Sequence, residues 1–178
     1  MIAAAVLGGW LLSPSDGVPA GPLTGESRTV DGDTLEVGGH RIRLVGIDAP
    51  ERLQTCTDAA GRPWPCGRAA GALLEQLRRH GPVRCTPLEQ DRYGRIVATC
   101  EAGGADLGGA VVAAGLAVPD GRYASEAREA QAARRGIWAG TFEPPAAWRR
   151  AHSGEGETTG QPSRIAAFLN WVGNVFAR

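Results

Sequence analysis

The sequence predicts an α+β domain: a small five-stranded β-barrel with about three helices, followed by a separate C-terminal amphipathic helix. Three observations lead there. Strand-like runs fall in two groups, residues 27–48 and 83–100, each carrying a tight-turn signal. Helical spacing of apolar residues occurs only between and after those groups. The resulting order of three strands, helix, two strands and two helices lacks βαβ alternation, and short strands in that order suit a small barrel. A chain of 178 residues is long enough to bury a core for one such domain.

Taken in order, residues 1–20 hold an apolar run from Ile2 to Leu12 and then small residues ending Val18-Pro19-Ala20, as in a secretory signal, although a basic leading segment is lacking. The run is too short to span a bilayer. The expected location is therefore secreted or periplasmic. Residues 21–26 continue a Pro-, Gly- and Ser-rich lead-in, and the main domain is expected over 27–150. It opens with the strands "SRTV", "TLEV" and "HRIRLVGI", the last two joined by a Gly38-Gly39 turn. "GRAAGALLEQLRRHG" spaces Ala70, Leu73, Leu74 and Leu77 at helical intervals and stops at Gly81. A hairpin over 83–100 follows, with its tip near Arg92-Tyr93. "ADLGGAVVAAGLA" reads as a short buried helix capped by Asp106, and "SEAREAQAARRG" as a third helix starting near Ser125 and ending before Gly136. Residues 151–162 form a polar linker. Over 163–178, Ile165, Phe168, Leu169, Val172, Val175 and Phe176 make one helical stripe, suited to docking on the domain and less well to a membrane surface.

Four cysteines, Cys56, Cys66, Cys85 and Cys100, lack C-x2-C spacing, and the three histidines are scattered, so a zinc site is not expected. A hairpin tip near Arg92-Tyr93 sets Cys85 opposite Cys100, within disulfide range. Cys56 and Cys66 close a short aperiodic loop. Two local disulfides agree with export. The formal net charge is zero, which excludes the broad basic field of many nucleic-acid binders. Affinity for phosphate must then come from a few placed cations, and all nineteen basic residues are Arg.

The polar chemistry lies in four short pieces: "VDGDT" (Asp31, Asp33), Arg43 in "RIRLV", "GIDAPE" (Asp48, Glu51) and "DRYGR" (Arg92, Tyr93, Arg95). With the hairpin turning at Gly38-Gly39, Asp33 and Asp48 both fall at its open end, with Asp31 and Glu51 close behind. Such a cluster of carboxylates needs cations, and hard oxygen ligands suit Ca2+ or Mg2+. Arginines facing it imply an anion between, for which a phosphate is the natural candidate.

Together these stretches resemble the thermonuclease family, the staphylococcal-nuclease-like domains, over most of residues 27–150; "VVAAGLA" and the helix ending "RRGIW" follow the same pattern. The resemblance implies an OB-fold barrel and a calcium-dependent endonuclease that hydrolyses phosphodiesters of DNA and RNA, preferring single-stranded or frayed substrate. It implies one Ca2+ ion held by Asp33, Asp48 and the Ala49 carbonyl, with Asp31 behind them. Arg43 and Arg95 would hold the scissile phosphate and Glu51 would orient or deprotonate the attacking water. Arg92, Tyr93 and Tyr123 would contact the nucleotide. The chain departs from the family in having Ala49 in place of the common Thr and Gly121 in place of a pocket aromatic, and the insert 52–66 beside Glu51 is expected to reach over the cleft. DNA and RNA are the expected partners of a monomer with no stable protein partner. The competing expectations are a catalytically inert module of the same fold that binds oligonucleotide or protein, and an envelope-associated scaffold using the C-terminal helix.

Overall fold

The structure, a computed structural model, describes residues 17–152. All but the last four residues of the expected export signal, and the whole 163–178 helix, lie outside the described residues. The architecture is α+β, a curled sheet with helices packed on it. Strands β1 (Leu23–Thr24), β2 (Ser27–Thr29), β3 (Thr34–Val37) and β4 (His40–Leu44) come first. The two-residue strands β5 (Ile47–Asp48), β6 (Cys56–Thr57) and β7 (Pro63–Trp64) precede helix α1 (Cys66–Arg78). Next come β8 (Arg84–Gln90), β9 (Ile96–Ala102), β10 (Ala105–Asp106), α2 (Leu107–Ala113), β11 (Val118–Pro119), α3 (Ala124–Ala132), a 3-10 turn over Gly136–Ala139, and α4 (Pro145–His152).

The main sheet runs β1-β8-β9-β4-β3-β2, with β10 added to β9. Its end strands β1 and β2 are consecutive pieces of chain separated only by Gly25 and Glu26, so the sheet curls until one short segment serves both edges. This differs from the expected beginning at residue 27: Leu23 pairs with Cys85 and packs on the core. An apolar residue opposite an open strand edge is enough to recruit the lead-in. The Gly38-Gly39 turn forms as the sequence predicts, with φ of 56° and 82° matching a type I′ hairpin. Four α-helices are described rather than about three, because "PPAAWRRAH" supplies α4, its first residue a proline, which is tolerated at a helix start.

The core gathers Leu35, Val37, Ile42, Leu44 and Ile47 from the first strands, Ala70 and Leu74 from α1, and Leu107, Val111 and Val112 from α2. On β4 the inward Ile42 and Leu44 alternate with Arg41 and Arg43, which therefore point to the sheet's outer face. The Cys85–Cys100 bond spans directly paired residues of β8 and β9. A bulge between Pro87 and Glu89 then shifts the register, leaving Leu88 half exposed. The Cys56–Cys66 bond belongs to a smaller apolar cluster with Ile137, flanked by Trp64, Val118, Trp138 and Phe142.

Candidate active site

The hairpin register sets Thr34 opposite Arg43, so Asp33 at the head of β3 lies beside the outward face of β4. Val30 and Asp31 close a turn onto the Thr34 carbonyl, and the Asp31 carboxylate accepts the Asp33 N–H at 3.2 Å. Asp33 itself is buried: Oδ1 accepts the Thr34 hydroxyl at 2.9 Å and Oδ2 the Ala49 N–H at 3.2 Å. That last bond ties "VDGDT" to "GIDAPE". Asp48 sits on β5, fixed by its antiparallel pairing to Val118 of β11.

Arg43 lies between the two aspartates. One terminal nitrogen meets Asp33 Oδ2 at 2.9 Å and the other Asp48 Oδ1 at 3.1 Å, while also donating to the Ile47 carbonyl at 3.3 Å. Burial pushes the Asp33 carboxyl up to about 7, against the pull of the Arg43 guanidinium, with Asp31 adding to the rise. Burial alone would lower Arg43, but Asp33 and Asp48 outweigh it and hold the guanidinium more firmly protonated.

These groups open on a cleft of about 540 Å³ lined by Asp31, Asp33, Arg43, Glu51, Arg92, Tyr93 and Arg95, together with Arg41 and Arg149. The β8–β9 turn supplies the opposite wall. Asp91 organises it, accepting the Tyr93 and Arg95 backbone N–H groups and the Arg95 side chain at 2.7 Å. Burial works to raise Asp91, but those bonds to Arg95 keep its carboxyl below the ordinary range. Tyr93 is 69% exposed, with the guanidinium carbons of Arg92 and Arg95 at 5.1 and 5.4 Å from its ring centre. Both guanidinia thus make cation–π contacts with an exposed ring.

Residues 41–140 match the family described as Staphylococcal nuclease homologue. The chain belongs to that family. This staphylococcal nuclease homologue is 38% identical over 135 residues to the succinoglycan biosynthesis protein ExoI of Rhizobium meliloti (strain 1021), a span of 72% of this chain and 71% of that protein. It is 34% identical over 134 residues to an uncharacterized endonuclease of Escherichia coli, covering 68% of this chain and 81% of the relative. A probable staphylococcal-like nuclease, CAN1, of Oryza sativa subsp. japonica is 29% identical over 126 residues, 67% of this chain and 35% of the relative.

Within this nuclease homologue, Asp31, Asp33, Arg43, Glu51, Arg92, Tyr93 and Arg95 of the sequence-predicted residues line the cleft, and the buried Asp48 and Ala49 are bonded to the lining residues Arg43 and Asp33. Tyr123 is the exception. Its hydroxyl donates to Asp106 Oδ2 at 2.8 Å, and its ring lies against Gly108 and Gly109 of α2. It joins α3 to α2, and burial with the neighbouring Asp106 pushes the phenol up to about 12. The insert 52–66 also differs from expectation. Of its residues none lines the cleft; it folds into the β6–β7 hairpin and turns toward the C-terminal segment, where Thr57 and Thr141 exchange backbone hydrogen bonds at 2.8 and 3.0 Å.

Two functional groups escape a reading of the sequence. Gln54, buried, accepts the Glu51 N–H at 3.1 Å and donates to the Glu143 carbonyl at 2.6 Å, so it fixes Glu51 to the C-terminal segment. Arg149 on α4 donates to both oxygens of Asp48, at 2.9 and 3.1 Å, and to Glu51 Oε1 at 2.7 Å. Burial would lower it, but these carboxylates hold it well above its ordinary value. Its only advance signal is the Arg pair in "AAWRRAH", which reads as a solvated helix face.

The oxygen set fits a hard divalent cation. Asp33 and Asp48 lie close enough for one guanidinium to bridge them, and Asp33 is desolvated and so gains from any nearby positive charge. Among the described residues no three His, Cys, Asp or Glu side chains gather as a ready ligand set, so further ligands would have to be a backbone carbonyl and water.

Proposed function

We propose that this chain is a calcium-dependent nuclease that hydrolyses phosphodiester bonds of DNA and RNA. The observation that carries the reading is the Arg43 bridge across Asp33 and Asp48, facing Glu51 and the Arg95–Tyr93 wall over one cleft. Asp33, Asp48 and the Ala49 carbonyl would hold one calcium ion, with Asp31 buttressing the turn. When bound, the ion supplies positive charge that offsets the phosphodiester's and polarises its phosphorus–oxygen bonds. Arg43 and Arg95 donate to the non-bridging oxygens and stabilise the charge that builds as phosphorus becomes pentacoordinate. Glu51 accepts a hydrogen bond from the attacking water and takes its proton as the oxygen–phosphorus bond forms and the opposite ester bond breaks, the departing oxygen taking a proton from solvent. Tyr93 stacks on the base, with Arg92 on the flanking phosphate. With no net charge to draw in a duplex, single-stranded or frayed DNA and RNA are the favoured substrates, and binding weakens as salt rises. Export to the periplasm or medium is supported by the two disulfides, which among the described residues leave no free cysteine. The working form is a monomer.

The test is cleavage of single-stranded DNA by purified protein with calcium or with chelator. Cleavage with calcium alone is expected, and Arg43→Ala or Glu51→Ala should each lower it by roughly 10²–10⁴-fold with circular dichroism unchanged. Oligonucleotide binding without cleavage in either condition would instead establish the inert module.

A further inference from the structure

Arg149 comes from 98 residues beyond Glu51 and 101 beyond Asp48, and it lies outside the residues that match the family. Its placement is held by several independent contacts. Pro145 at the start of α4 is buried, and Gln54 grips the Glu143 carbonyl. Thr141 is locked to Thr57 by two backbone hydrogen bonds. Behind them the Cys56–Cys66 bond, Ile137, Trp138 and Phe142 pack as one cluster, the last two rings edge to face at 5.0 Å. The insert and the C-terminal arm thus form one clamp that delivers a guanidinium to two site carboxylates.

The consequence is a competition. Both oxygens of Asp48 and one of Glu51 are taken by Arg149, and Asp48 Oδ1 also accepts from Arg43. A divalent ion binding Asp48 must take oxygens that Arg149 now holds. We propose that Arg149 is the resident cation of the metal-free site, displaced from Asp48 when a divalent metal binds, and that it thereby sets the metal affinity of this chain. Because Arg149 lines the same cleft, a guanidinium released from Asp48 would still face the space a phosphate would enter. The inference rests on the metal-dependent reading above.

The experiment is isothermal titration of calcium into full-length, disulfide-intact protein without nucleotide, comparing the wild type with Arg149→Gln, Arg149→Lys and Arg41→Gln. Arg41 lines the same cleft and controls for a simple loss of positive field. Arg149→Gln removes charge-assisted bonds that the metal otherwise has to break, so its calcium affinity should rise about tenfold or more. Arg149→Lys, which keeps the charge but loses the two-pronged grip, should fall between. Arg41→Gln should stay within about twofold of the wild type, since an exposed charge acts weakly through solvent. Unchanged or weaker affinity in folded Arg149→Gln overturns the inference alone, as does an equal gain in Arg41→Gln. If neither wild type nor Arg149→Gln binds calcium, the metal-dependent reading falls and takes the inference with it.

Discussion

Gly67, the second residue of α1, lies directly beneath the Glu51 loop. A Cβ added there would stand 1.7 Å from the Glu51 carbonyl oxygen and 2.6 Å from its carbon, where contacts under 3.0 Å are essentially never seen. The loop would have to retreat by about 1.3 Å, the difference between those limits. That carbonyl accepts the Gln54 N–H at 2.7 Å, and Gln54 in turn fixes the Glu51 N–H, so the shift is passed to Glu51, the proposed general base. Overpacking of this kind costs roughly 1–3 kcal/mol and the helix-propensity gain of Gly→Ala returns about 1 kcal/mol at most, so Gly67→Ala should be destabilising on balance. A displacement near 1 Å in a catalytic group lowers turnover by up to about 10²-fold. Gly71→Ala, one turn later on the same helix, is the matched control: its nearest atoms lie at 3.8 Å, and it should stabilise by up to about 1 kcal/mol with turnover unchanged. Thermal melts and single-stranded DNA hydrolysis on both variants decide the matter. If Gly67→Ala is as stable and as active as Gly71→Ala, the helix does not position Glu51.

Four further outcomes are expected. Tyr123→Phe should lose about 1.5 kcal/mol, the low end for a bond to a carboxylate because the pair is only partly buried. Since folding raises the phenol from about 10 to about 12, its contribution is complete below pH 10 and is lost as pH climbs through 12; the melting difference from wild type should narrow only in that window. Denatured, unreduced protein should show no free thiols. Replacing Cys56 and Cys66 by Ser should cost roughly 2.5–3 kcal/mol for the loop of separation 10 and speed amide exchange in α4. Replacing Cys85 and Cys100 should cost a similar amount, about 3 kcal/mol, and leave α4 exchange as it was.

Much of this molecule was legible along the chain because it rests on local rules. The Gly38-Gly39 turn fixes the hairpin register that sets Thr34 opposite Arg43 and leaves Asp33 at the open end, while the pairing of β5 with β11 holds Asp48 there. The Asp106 cap and the opposed cysteines follow from the same short-range geometry. Other features depend on which distant segments meet, and no local pattern encodes that. Tyr123 was drawn away from the expected pocket because the glycines of α2 leave room for its ring and Asp106 accepts its hydrogen bond. The 52–66 insert turned from the cleft because the strand edge at Thr57 found Thr141. Arg149 reached the carboxylates through that same pairing. By itself the sequence determined the two hairpins, three of the four helices described and the two short acidic motifs with their arginine partners. The tertiary structure decided which cation guards them, because a guanidinium 101 residues from its carboxylate is placed only by packing.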